Sequence, residues 1–166
     1  MGKHNHLGLL AVAKEFCKSA ERLNTGPQRL DGPLPVNFLF MHAVECGLKS
    51  YLYYRGVDED SLRKLGHDLE AAWQKAMDLG ICQLSSECKE LRECIHLINP
   101  IYKGTQLDYL YPGPKRLPVI EDVHRLCKNL IIDLDNAYSL GELPEPGPEC
   151  SGGCATSDSS LGQQRG

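Results

Sequence analysis

The chain has 166 residues, of which 42% are hydrophobic and 24% are charged, a composition typical of a single globular domain. This balance excludes fibrous proteins and wholly disordered chains. The 18 Lys and Arg residues and the 22 Asp and Glu residues give a net charge of -4, which excludes the general cationic attraction of proteins that coat nucleic acid duplexes.

Apolar residues recur at helical spacing in five segments, and no segment alternates as a half-buried strand would. Proline, glycine or a capping aspartate marks most of the boundaries. The second segment is apolar almost all round, so we expect it to be the central helix. The predicted helices, in chain order, are Leu7–Leu23, Pro35–Arg55, Asp68–Gly80, Ser85–Ile98 and Pro118–Gly141.

The remaining segments are predicted to connect these helices or to stay unfolded. Ser61–Gly66 is a short charged connection, and Ile101–Leu117 is a structured loop that follows the helix stop at Asn99-Pro100. Residues 142–166 have too few apolar side chains to offset the entropy of ordering, so we expect a disordered tail after a folded domain of residues 1–141. The fold class is therefore all-α, an up-and-down bundle of four to five helices.

Neither apolar stretch near the amino end predicts export or a membrane span. The first stretch, Leu7–Ala13, is too short for a signal sequence, and the second carries His42, Glu45 and Lys49. None of the eight cysteines forms a CxxC pair, and six lie in helical patterns, where free thiols act as small apolar residues. These features favour a reducing cytoplasm and no membrane partner.

Two Glu-x-x-His elements, Glu93/His96 and Glu121/His124, are typical of di-iron helical bundles. At 100° per residue, however, both pairs lie on the opposite side of their helices from the apolar positions. Metal ligands at the centre of a bundle must point inward, so the pattern predicts solvated helix faces, with no metal and no cofactor.

On the central helix, by contrast, helical phase brings three ionisable residues together in one stripe. With His42 at 0°, Glu45 lies at about 300° and Lys49 at about 340° on an otherwise apolar helix. The pattern alone leaves two interpretations open. Glu45 and Lys49 form either a surface ion pair, worth about 0.2–0.5 kcal/mol, or part of a site that faces a ligand or partner.

Four short motifs resemble those of HEPN domains across residues 7–140. They are the helical Ala43-Val-Glu45-Cys-Gly-Leu48-Lys49, then His67-Asp68-Leu69, Leu97-Ile-Asn99, and Tyr109-Leu-Tyr111-Pro112. The resemblance implies a helical bundle, commonly a homodimer, that is associated with nucleotides or single-stranded RNA. It also implies a partner nucleotidyltransferase and a place in a toxin–antitoxin or defence system.

The same resemblance implies the site residues. Glu45 and Lys49 match the helix pair of the family, and His67 matches the histidine at the start of its third helix. Lysine can hold a phosphate as a point charge, and a carboxylate can orient it. Tyr102, Tyr109 and Tyr111 in the following loop either stack on a base or cap the core.

The ribonuclease members of the family carry an Arg with four to six residues before a His. Here Arg63/His67 and Arg92/His96 have only three residues between them, and Leu110 stands where an Arg often precedes the Tyr-Pro. Whether the chain is an enzyme therefore stays open. The sequence leaves three functions: a nucleotide- or RNA-binding domain, a ribonuclease toxin with an altered site, and a dimerisation or interaction module without a ligand.

Overall fold

The computed structural model describes residues 5–25, 33–103 and 117–141, and within these ranges it contains six α-helices, one 3₁₀ turn and no strand. The predicted all-α class is confirmed, with one helix more than the expected maximum of five. The helices are α1 (His6–Asn24), α2 (Pro33–Tyr54), α3 (Glu59–Leu65), α4 (Leu69–Asp78), α5 (Cys88–Lys103) and α6 (Ile120–Leu140), and the 3₁₀ turn covers Ile81–Gln83.

Helix α3 forms where the sequence predicts only a charged connection. The side chain of Asp58 caps its first turn by accepting a hydrogen bond from the Ser61 amide at 2.9 Å. Glu59 and Asp60 lie in the first turn and Arg63 lies in the last, which is the charge order that the helix dipole favours. Charge density was therefore a misleading sign of a connection, because seven residues suffice for a capped helix.

Helix α5 continues past Asn99-Pro100, where the sequence predicts its end. Pro100 lacks the amide hydrogen that would bond to the His96 carbonyl, and this loss disfavours a proline inside a helix. The final turn nevertheless buries Ile101 and Tyr102, at 9% and 5% exposure. Burial of these two side chains offsets the local cost, so the first three residues of the predicted loop are helical.

Helix α2 occupies the centre, as the sequence predicts. It contacts α1, α3, α4 and α6, and its largest buried side chains include Phe40, Met41, Leu48 and Leu52. Its beginning at Pro33 precedes the predicted one by two residues, and α6 begins two residues after Pro118.

Helix α1 runs antiparallel to both of its main neighbours. The Ser50 hydroxyl near the end of α2 donates to the His6 carbonyl at the beginning of α1. The His6 ring also lies against Tyr138 near the end of α6. Helices α2 and α6 consequently run in the same direction, so the described part of the bundle is not purely up-and-down.

Four of the six cysteines in the described helices and turns are free and buried, as predicted: Cys17, Cys46, Cys94 and Cys127. Cys82 and Cys88 differ from the prediction, because they are joined in a disulfide. The turn between the 3₁₀ segment and α5 brings their Cα atoms to 5.3 Å, within the range that a disulfide spans.

No helix in the described ranges is long and apolar enough to cross a membrane. The predicted tail of residues 142–166, with Cys150 and Cys154, lies outside the described residues, as do positions 104–116 of the predicted loop.

Candidate functional site

A buried carboxylate lies at the centre of the candidate site. Glu45, in the middle of α2, is only 3% exposed. Burying a carboxylate is costly unless charged or hydrogen-bonding partners compensate it. The compensating groups come from three parts of the chain: α2 itself, the turn between α3 and α4, and the last turn of α5. We call Glu45 and these partners, His42, Lys49, His67 and Tyr102, the Glu45 cluster.

Lys49 satisfies the Oε1 atom of Glu45. Its Nζ atom donates to Oε1 at 2.6 Å, one helical turn along α2, and to the Gly66 carbonyl at 2.7 Å. The ammonium therefore joins the central helix to the turn that carries His67. Within the described residues, these two bonds leave one of its three N–H groups for another acceptor.

His67 and Tyr102 satisfy the Oε2 atom. The Tyr102 hydroxyl donates to Oε2 at 2.5 Å, and the His67 Nδ1 lies 3.0 Å from the same oxygen. Because an ionised carboxylate can only accept, Nδ1 of His67 carries the hydrogen, and Nε2 is left for another contact. The His67 side chain is 63% exposed, so the cluster extends from the interior to the surface.

His42 completes the cluster from the other side of Tyr102. Its Nδ1 lies 2.9 Å from the Tyr102 hydroxyl and 3.6 Å from Oε2 of Glu45. Since the only hydroxyl hydrogen of Tyr102 goes to Glu45, the Tyr102 oxygen accepts from Nδ1 of His42. The rings of Phe16 and Phe38 pack against the imidazole and shield it from water.

These contacts fix the charges of the cluster. Burial opposes ionisation of Glu45, but the nearby His42 imidazole and hydrogen bonds from Lys49, Tyr102 and His67 hold its carboxyl pKa well below the usual range. The neighbouring Cys46 and Glu45 side chains raise the pKa of His42 to about 9, against the effect of burial. Burial and the Glu45 charge raise the pKa of Tyr102 far above its usual range, so it remains a donor.

A groove of about 190 Å³ adjoins the Lys49 side of the cluster. Helices α1, α2 and α3 form its walls, and its lining includes two cations, one carboxylate, an aromatic ring and apolar side chains. The lining residues are Leu9, Lys49, Tyr53, Glu59, Leu62 and Arg63. Arg63 is 71% exposed and pairs with Glu59 at 2.6 Å, so its guanidinium remains accessible at the rim.

A second hydrogen-bond network holds the start of α4 against α5, next to the cluster. The Asn99 side-chain oxygen accepts from the Leu69 amide at 2.9 Å, and its nitrogen donates to Asp68 at 3.1 Å. Lys103 forms an ion pair with the other oxygen of Asp68. These bonds fix the residue that follows His67 and position Tyr102 between Asn99 and Lys103.

No protein-family model matches this chain, and neither a curated protein nor a solved structure is significantly similar to it. The likeness to HEPN domains therefore depends on the quoted motifs alone.

Three of the five residues predicted as ligand-binding lie together: Glu45, Lys49 and His67 are joined by direct hydrogen bonds. Tyr109 and Tyr111 lie outside the described residues. The sequence stripe already included His42, although not as a site residue. Tyr102 was considered only as a base-stacking or core-capping ring of the predicted loop. Its buried bond to Glu45 was not predicted, because its segment lacked a helical period and its partner lies 57 residues away.

The outward Glu-x-x-His residues have separate partners. His96 lies 2.6 Å from Glu70 and His124 lies 2.6 Å from Glu21. Glu93 and Glu121 are both exposed. The four residues of the two elements therefore do not converge, which agrees with their helical phase.

Proposed function

We propose that this chain binds the phosphate group of a nucleotide or of a single-stranded RNA segment at the Glu45 cluster and the adjoining groove. The observation that carries the proposal is that one buried carboxylate holds two basic side chains in fixed positions, His67 at the surface and Lys49 in the groove wall. Such preorganised donors bind an anion without a further cost of ordering.

Each of the two side chains can make one further hydrogen bond, to a phosphate oxygen. Lys49 retains one N–H group, and Nε2 of His67 points away from the carboxylate that holds Nδ1. Arg63 adds a second permanent cation on the groove wall. Tyr53, in the same wall, offers an aromatic ring to a base.

The HEPN resemblance supports the choice of ligand, because Glu45, Lys49 and His67 are the residues that match the motifs of the family. It extends the proposal to a homodimer, to a nucleotidyltransferase partner and to a toxin–antitoxin or defence role. Co-expression with a nucleotidyltransferase encoded beside this chain, followed by co-purification, tests the partner.

A melting experiment in chelator tests the binding proposal. Nucleoside triphosphates and short oligoribonucleotides at millimolar concentration should raise the Tm of the wild-type chain, because a ligand that binds the native state stabilises it. In Lys49→Ala the shift between ligand-free and ligand-bound samples should disappear.

Lys14→Ala is the matched control, since Lys14 also pairs with a carboxylate at 2.6 Å but lies on α1 against Asp135 of α6. The control should keep the full shift. Absence of a shift in the wild-type chain, or an equal shift in Lys49→Ala, would contradict the proposal.

A metal-independent ribonuclease is a second candidate, and the Glu45–His67 pair favours it. A carboxylate that fixes Nδ1 of an imidazole leaves Nε2 free to accept or give a proton, as general acid–base catalysis requires. Lys49 lies at the same carboxylate and would stabilise the charge that develops on the phosphate.

Cleavage of single-stranded RNA in excess chelator tests this candidate. The wild-type chain should cut the RNA. His67→Ala should cleave it at least about 100-fold more slowly, because a general base contributes at least that factor to the rate. His96→Ala, which removes an exposed imidazole on α5, should cleave at the wild-type rate. Intact RNA after prolonged incubation with the wild-type chain would reject catalysis and leave binding untouched.

A further inference from the structure

Three classical metal-ligating side chains converge on the inner side of the Glu45 cluster. Oε2 of Glu45 lies 3.0 Å from Nδ1 of His67 and 3.6 Å from Nδ1 of His42. One ligand atom from each of the three residues lies within 4.8 Å of the other two. They come from two places in the chain, the middle of α2 and the turn between α3 and α4.

We propose that His42, Glu45 and His67 bind a divalent transition metal ion of the zinc type. Zinc lies about 2.0–2.2 Å from nitrogen and oxygen ligands, so a tetrahedral ion needs ligand atoms about 3.3–3.5 Å apart. The two separations that involve Glu45 bracket that value. Only the imidazoles must approach each other, and His67 can move because its side chain is 63% exposed and lies on a turn.

The two oxygens of Glu45 divide the cluster into separate functions. Oε1 is held by Lys49, whereas Oε2 faces both imidazoles and the Tyr102 hydroxyl. A metal ion beside Oε2 takes the place of the two Nδ1 hydrogens of His42 and His67: each imidazole then binds as a neutral ring with its hydrogen on Nε2, and a displaced proton passes to solvent, while the Tyr102 hydroxyl keeps its own hydrogen. Lys49 stays on Oε1 and orients the carboxylate.

The donor set selects the class of metal. Two imidazoles and one carboxylate suit zinc and neighbouring transition ions, whereas magnesium and calcium prefer oxygen ligands alone. Three protein ligands leave a fourth position open, as in catalytic zinc sites. The Tyr102 hydroxyl lies 2.9 Å from Nδ1 of His42, close enough to contact a water in that position.

Titration of the chelator-stripped full chain with Zn²⁺ alone, followed by calorimetry, tests the site. The wild-type chain should bind one ion, and Co²⁺ should give the intense visible absorption of a tetrahedral ion. His67→Ala and Glu45→Gln should each weaken binding by more than the roughly 10–100-fold that loss of a supporting contact costs. Tyr102→Phe should weaken it within that range.

His96→Ala and His124→Ala are matched controls, because each removes an imidazole that lies 2.6 Å from a single carboxylate. Both should bind Zn²⁺ as the wild-type chain does. His67→Ala removes an exposed side chain and keeps the proposal testable if Glu45→Gln fails to fold.

Three results would overturn the metal site: no stoichiometric binding, binding that persists in His67→Ala, or binding lost only when Cys150 and Cys154 are changed to Ser. The titration contains no nucleotide, and the phosphate experiment contains chelator. Failure of one proposal is therefore distinguishable from failure of the other.

Discussion

Glu45 and Glu70 each hold the Nδ1 atom of a histidine, but their surroundings are opposite. The pair on α4 and α5, Glu70 and His96, is the shorter at 2.6 Å, yet its carboxylate is 49% exposed. In the pair of Glu45 and His67 the carboxylate is 4% exposed, while both imidazoles are exposed by more than half. Pairing distance alone therefore does not distinguish the two pairs, whereas the burial of the carboxylate does.

The two carboxylates differ in whether water can replace a lost histidine partner. Glu70 can exchange its histidine for water, so the pair contributes little to stability. Glu45 has no such exchange, and the loss of one partner leaves a buried charge without compensation. The Glu45 cluster thus keeps its donors in place even where they reach the surface, which is what a binding site requires.

The largest expected effect comes from removing the charges of Glu45 and Glu70 in separate variants. Glu45→Gln should lower the free energy of unfolding by about 3 kcal/mol or more, because Lys49 and His42 lose a buried counter-ion. Glu70→Gln should change it by less than about 0.5 kcal/mol. Urea unfolding of both variants measures the difference, and equal effects would refute the comparison.

A smaller loss of stability is expected when one hydrogen-bond donor, the Tyr102 hydroxyl, is removed from the Glu45 cluster. Tyr102→Phe removes the hydroxyl that donates to Glu45 at 2.5 Å and should cost about 2 kcal/mol, as for a hydrogen bond to a charged group. Tyr138→Phe, which loses a contact of 2.9 Å with the neutral Ser50 hydroxyl, should cost about 1 kcal/mol. If the two variants unfold at the same urea concentration, the charge on Glu45 adds nothing to its hydrogen bonds.

The smallest test uses pH in the presence of chelator. The pKa of His42 rises from 6.5 to about 9 on folding, so its contribution is complete below pH 6.5 and is lost as the pH rises to 9. We expect this loss to be of order 1 kcal/mol, given partial exposure. The difference in unfolding free energy between the wild-type chain and His42→Gln should shrink over that interval, and a difference that stays constant would contradict the raised pKa of His42.

Most helices could be predicted from the sequence because an apolar periodicity records burial directly. The errors arose where other contributions compete. Helix α3 is short and charged, so its cap at Asp58 was the only strong local signal. Helix α5 passes through Pro100 because distant contacts of Tyr102 and Ile101 outweigh a local preference, and no window of sequence contains those contacts.

The candidate site was predictable to the extent that its residues lie on one helix. The phase of α2 placed Glu45 and Lys49 on one stripe, and the HEPN-like His67-Asp68-Leu69 motif pointed to the next partner. Sequence patterns could not show that the Glu45 carboxylate is buried or that Tyr102 donates to it. Both facts depend on how α5 packs against α2, which is a property of tertiary structure.

The hydrogen bond from Lys49 to the Gly66 carbonyl spans seventeen residues. It couples the position of the Lys49 side chain to the conformation of the turn between α3 and α4. A phosphate that accepts from the third N–H group of Lys49 stabilises the arrangement in which this bond is made, so the chain from Leu65 to Asp68 opens less often. Amide hydrogen exchange in that turn would follow ligand saturation without any probe placed in the groove.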